Sequence, residues 1–203
     1  MNQQTIINIL KKGTSNEILD LIRAQNTSNI HYIEDGIVQV VRTGNYKLAG
    51  NLIAEANKRS GYGFNFLHEE VLLKDSPEQL TDFKKQSVTK KAMSNFQITP
   101  IHCAAINPNP DILKRLLESK PEYSIMDYQM RKPVHYAACC ETDGTLKLLI
   151  SKGVDIREGD RKKLTPLMLA AKNGRVHNVQ LLLGLVEEEL ERKTLLTVKS
   201  REG

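Results

Sequence analysis

Thr99-Pro100-Ile101-His102-Cys103-Ala104-Ala105, Lys132-Pro133-Val134-His135-Tyr136-Ala137-Ala138 and Thr165-Pro166-Leu167-Met168-Leu169-Ala170-Ala171 align without gaps, and their starts at 99, 132 and 165 are 33 residues apart. A constant period of this length marks a chain built from stacked supersecondary units rather than one closed core. Each heptapeptide is followed at the same offset by an apolar trio: Leu113 with Leu116-Leu117, Leu146 with Leu149-Ile150, and Val179 with Leu182-Leu183. The i, i+3, i+4 spacing of those trios is helical, so each unit holds two helices.

Each motif residue has a physical task in such a unit. Proline suits the first helical turn, where its missing N–H costs nothing and its fixed φ is already helical. The hydroxyl of Thr99 or Thr165 is placed to cap that turn. The alanine pairs are small where first helices lie against each other, and the leucine stripe of each second helix is buried only by its neighbours.

The pattern is similar to that of the ankyrin repeat, with its Thr-Pro-Leu-His-x-Ala-Ala signature, a second helix and a Gly-Ala-Asp-type ending. Gly153-Val154-Asp155 stands where the family places that ending, and Asp160 and Asp127 stand where it places its finger aspartate. The frame extends backward through the glycine between the two helices: Gly44, followed by Ala49 and Leu52-Ile53, and Gly13, followed by Ile18 and Leu21-Ile22. Asn65-Phe66-Leu67-His68-Glu69-Glu70-Val71 keeps the Leu-His pair and is a degenerate unit. The resemblance implies an all-α solenoid of stacked helix-turn-helix units with finger-like turns. Six units start near 4, 35, 65, 99, 132 and 165, and the array covers 1–186. Residues 187–203 form a cap or the beginning of a further region, because Ser200-Arg201-Glu202-Gly203 mimics the turn before a new Thr-Pro and the chain then reads as cut at a unit boundary.

Composition narrows the remaining classes. The 203 residues are 40% hydrophobic and 26% charged, an ordinary folded chain, and the longest apolar runs fall far short of the roughly 18 residues of a membrane helix. The N-terminus Met1-Asn2-Gln3-Gln4 has neither the basic lead nor the apolar stretch of a secretory signal. Cys103, Cys139 and Cys140 are three in number and lack CxxC spacing, which points to reduced thiols in the cytosol or nucleus.

His102-Cys103 and the His135, Cys139 and Cys140 group invite a metal reading, since residues four apart share a helical face. The motif position gives the stronger alternative: in the family this histidine bonds neighbouring backbone and locks units together. No phosphate loop or nucleophile elbow occurs, and carboxylates such as Glu17, Asp20, Glu69 and Glu70 read as solvated helix faces. No cofactor or catalytic activity is expected unless a catalytic domain lies elsewhere in a longer protein.

The expected function is a non-catalytic scaffold or adaptor that holds a protein partner. Ankyrin proteins usually bind through the finger turns and the variable first-helix positions, which line a concave groove. Here the candidates are Asn95, Phe96, Tyr128, Arg131, Arg161, Lys162 and Lys163 on the fingers, and Tyr136 and Asn173, with Cys139 and Leu169, on the helices. Basic residues recur at nearly the repeat interval, at Lys84-Lys85, Lys90-Lys91, Arg131-Lys132 and Arg161-Lys162-Lys163, within a net charge of +5. Such a stripe would steer an acidic segment. Two other readings stay open: nucleic-acid binding by the same stripe, with few aromatics to stack bases, and a regulatory or targeting arm of a larger enzyme or channel.

Overall fold

The computed structural model describes residues 37–58 without 39 and 43, residues 64–82, 97–119 and 122–185, and the single positions 17, 20 and 88. The unit expected from residue 4, the candidates Asn95 and Phe96, Lys84-Lys85, Lys90-Lys91 and the 187–203 tail lie outside the described residues. Among the described residues the secondary structure is helical throughout, with no strand.

Eight α-helices follow in order: α1 Tyr46–Asn57, α2 Phe66–Leu73, α3 Pro100–Ala104, α4 Pro110–Leu117, α5 Pro133–Ala137, α6 Gly144–Ser151, α7 Pro166–Lys172 and α8 Val176–Gly184, with a short 3-10 turn at Pro77–Gln79. The pairs α3/α4, α5/α6 and α7/α8 are the three units read from the repeated motif. Proline opens α3, α5 and α7 as expected. The Thr165 hydroxyl accepts the Met168 N–H at 3.3 Å, the capping bond that ends an otherwise unsatisfied first turn.

First helices stack in the order α2, α3, α5, α7, and second helices α4 and α6 pack behind them. Ala104, Ala105, Ala137, Ala138 and Ala170 are fully buried where the first helices meet. Ala171 is exposed, because no described element stacks on the outer side of the sixth unit. Leu113, Leu116, Leu146, Leu149 and Leu182 fill the layer between the helices. Burying each such leucine is worth about 1.5–3 kcal/mol, and no single unit could bury them alone.

Histidine stitches the units. The Nδ1 atoms of His68, His102 and His135 accept the backbone N–H of Asn65, Thr99 and Lys132, each at 3.1 Å. That bond assigns the ring proton to Nε2, which donates to the carbonyl of Ile98, Arg131 or Glu158 at 3.0–3.1 Å in the following turn. Met168 interrupts the series in the sixth unit.

The pair of helices around Gly44 forms, but it does not continue the stack in line. α1 packs on α2, while the helical residues 37–42 reach the fifth unit: Arg42 bonds Asp127, and a Cβ on Gly44 would collide with the Cys139 carbonyl oxygen. At about 8–10 Å per packed helix, a second unit stacked in sequence would stand about 25 Å from the fifth. The cause lies in the motif itself. Where later units carry the close-approach alanine pair, this one carries Val40-Val41, whose branched side chains cannot nest so closely. Ile37, Val38, Val40 and Val41 are instead buried in the common core.

Candidate functional site

Each finger turn is organised by its aspartate. Asp127 Oδ1 accepts the N–H of Gln129 at 2.7 Å and of Arg131 at 2.8 Å, while the Met130 N–H closes back on the Asp127 carbonyl at 3.0 Å. One period later Asp160 Oδ1 accepts the N–H of Lys162 and Leu164, and Lys163 closes on the Asp160 carbonyl. The closing residue sits in the left-handed region in all three described fingers: Gln97 at φ 53°, Met130 at φ 61° and Lys163 at φ 62°.

Adjacent fingers are tied directly. The Arg161 N–H donates to the Gln129 carbonyl at 2.8 Å, and Arg131 Nε donates to Asp160 Oδ2 at 2.8 Å. Lys132 also pairs with Glu158. Arg131 and Lys132 are thus held within the solenoid, half-buried, and the basic stripe expected from sequence is partly neutralised by its own next finger.

The outer edge presents a different chemistry. Tyr128 is 51% exposed and Met130 47%, with exposed Met126 two residues before Tyr128. The Arg161 guanidinium lies 4.6 Å from the Tyr128 ring centre, a cation–π stack that holds both side chains flat along the edge. Arg161 and Lys163 are exposed and Lys162 half-buried.

The first-helix candidates are not free surface. Tyr136 is 1% exposed, and its hydroxyl donates to Asp127 Oδ2 at 2.7 Å while its ring meets His102 edge-on at 4.9 Å. Tyr136 is therefore a core residue, because its motif position faces the neighbouring first helix and the base of the finger. Cys139 and Leu169 are buried together with Leu164 for the same reason. Asn173 Nδ2 donates to the Leu169 carbonyl at 2.8 Å and to Cys139 Sγ at 3.3 Å, so it joins the sixth unit to the fifth. The cysteine and histidine group is likewise committed: Cys139 Sγ donates to the His135 carbonyl and Cys140 Sγ to the Ile106 carbonyl, and both ring nitrogens of His135 bond backbone.

Beneath the edge lies a buried polar cluster that sequence reasoning missed. Arg42 donates to Asp127 Oδ2 at 2.7 Å, with the side chains 4% and 0% exposed. Burial pushes the Asp127 carboxyl upward, but Arg42, the Tyr136 hydroxyl and the Arg131 N–H outweigh it and hold the group below its ordinary range. One signal was available. The position 33 residues before Arg131 is Ile98, so Asp127 has no in-line arginine of the kind that serves Asp160, and a buried carboxylate requires a cation from somewhere.

The model for "Ankyrin repeats (3 copies)" matches residues 37–160 and 134–198. The chain is 33% identical over 155 residues to the poly [ADP-ribose] polymerase tankyrase of Caenorhabditis elegans, covering 75% of this chain and 6% of that protein. It is also similar to the human transient receptor potential cation channel subfamily A member 1, at 31% over 137 residues, covering 64% of this chain and 12% of the channel. Human neurogenic locus notch homolog protein 1 matches at 31% over 100 residues, 48% of this chain and 4% of that protein. The chain thus spans only a small fraction of the length of these relatives, whose likeness to it is repeat sequence. The repeated motif, the stacked helix pairs, the aspartate-closed fingers and the family match together make this chain a member of the ankyrin-repeat family.

Proposed function

We propose that the chain is a non-catalytic interaction module that binds a protein partner along the finger edge, with Tyr128, Met130 and Arg161 as anchors. The observation that carries this reading is the exposed Met126, Tyr128 and Met130 row with Arg161 stacked on the tyrosine. Aromatic, methionine and arginine side chains are the groups most enriched at protein interfaces, and a pre-stacked pair loses little rotamer freedom on binding. Arg161, Lys162 and Lys163 add positive potential at one end, which suits a partner with acidic residues there. Because Arg131 and Lys132 are paired internally, a continuous phosphate-binding track is less well supported than a protein interface. Three buried free thiols fit a reducing compartment, the cytosol or nucleus.

A second reading rests on the relatives, among them a polymerase and a cation channel that carry the similar repeats within much longer chains. The module would then act as the partner-holding arm of a larger protein through the same edge.

The test is capture from lysate by the wild-type chain and by a Tyr128→Ala, Arg161→Glu variant, with circular-dichroism melts showing both folded. Nuclease-resistant protein partners lost in the variant support the finger edge. Partners retained unchanged, or recovery of nuclease-sensitive material alone, overturn it.

A further inference from the structure

Fingers four and five obey one rule with one exception. Asp160 is served by Arg131 of the preceding finger, but Asp127 faces Ile98 at the equivalent place and takes its cation from Arg42, 85 residues away in sequence. The arginine arrives on a short helical segment whose Ile37, Val38, Val40 and Val41 are buried. The segment ends at Gly44, which at φ 77° turns the chain against the Cys139 carbonyl, the same oxygen that accepts Arg175 Nε at 2.8 Å. Contacts to Asp127 and Tyr136 at one end and to Cys139 at the other lay the segment along the first helix of the fifth unit, on the face the family uses for partners.

We propose that this face of the fourth and fifth units is a binding site for an apolar helix carrying one arginine, read by Asp127 and Tyr136, and that residues 37–44 occupy it in cis. Arginine suits the site because its fork can meet the Asp127 carboxylate while remaining weakly hydrated in a buried setting. An external helix of the same chemistry would restore the pair that Asp127 loses when the cis segment leaves. The free energy of exchange is then set by the difference between two similar helices rather than by the cost of an unpaired buried carboxylate. Any such partner is a protein segment, so the inference rests on the interaction reading and adds to it the chemistry of a second, inner site that the chain itself closes.

The test uses the full chain in three forms, wild type, Arg42→Ala and Gly44→Ala, the last unseating the segment from the Cys139 end without touching Asp127. Hydrogen exchange over 37–44 is followed in each, and each is titrated with a synthetic peptide of residues 34–45 and with the same peptide bearing Arg42→Ala. The expected result is exchange about tenfold or more faster in both variants, with the arginine peptide binding them at least about tenfold more tightly than wild type and the alanine peptide binding none. If Arg42→Ala does not fold by circular dichroism, Gly44→Ala alone carries the comparison. If neither folds, the segment is an integral part of the core and the proposal is overturned. It is equally overturned by unchanged exchange in the folded variants, or by fast exchange without peptide binding. Failure here leaves the finger-edge capture result untouched, so the two readings fall separately.

Discussion

Arg131 Nε sits 2.8 Å from Asp160 Oδ2, with the arginine side chain 11% exposed and the carboxylate 0%, so that one finger supplies the cation that the next finger's buried aspartate needs. The same Asp160 organises its own turn through Oδ1, which makes the pair a joint between units rather than a surface ion pair.

Removing the arginine leaves that carboxylate buried and undercompensated. Arg131→Ala is expected to destabilise the chain by about 3 kcal/mol, within the range for breaking a buried pair by deleting one partner. Urea unfolding followed by circular dichroism measures it. A loss of less than about 1 kcal/mol would place the pair among solvated ion pairs.

Burial pushes His102 and His135 down to about 4, and in both the backbone N–H bond to Nδ1 requires a neutral ring. Their folded values lie below the unfolded one near 6.5. The stability they confer is therefore complete above pH 6.5 and is lost as pH falls toward 4, while the unfolded chain takes up protons first. Between pH 7 and pH 5 the expected loss is about 2 kcal/mol per histidine, read from urea midpoints across that range. His135→Gln keeps an acceptor at the third helical position and is expected to reduce the slope by about half.

Met130 and Lys163 carry side chains at φ 61° and 62°, a conformation only glycine adopts without steric cost, and both are exposed. Met130→Gly or Lys163→Gly is expected to raise stability by about 0.5–1 kcal/mol, the left-handed strain relieved exceeding glycine's entropic cost. Met130→Val would lower it, since a β-branched residue fits that region worst. Thermal melts of the three variants decide the sign.

Burial raises the Cys139 thiol to about 11 and moves the Cys103 thiol higher still. With the thiolate suppressed and the sulfur enclosed, alkylation of native protein by iodoacetamide at pH 8 is expected to be slow at both sites and fast only after unfolding. Mass spectrometry of native and urea-treated samples checks this. Rapid native labelling of Cys139 would mean that the contact between Asn173 and Cys139 opens readily.

Much of this molecule was legible as text because its determinants are local and repeated. Thr99, Pro100, His102 and Ala104-Ala105 each satisfy a requirement within one helical turn or one neighbouring unit, and the period of 33 residues multiplies the signal. The same locality made Tyr128 and Arg161 recognisable as finger-tip groups, and the structure adds that they stack. Tyr136 was misplaced because its motif position is variable in type. Whether such a position faces solvent depends on what the adjoining finger and helices bring against it.

Sequence alone therefore determined the repeat, its helices and caps, the finger aspartates and the histidine stitches, all interactions between residues within about one period of each other. Tertiary structure alone decided that Arg131 is held by Asp160, that Tyr136 is core, and that the valine-bearing second unit leaves the stack so that Arg42 reaches Asp127. Those outcomes depend on how units at distant places in the chain meet. A buried carboxylate demands a cation without specifying from how far along the chain it must come.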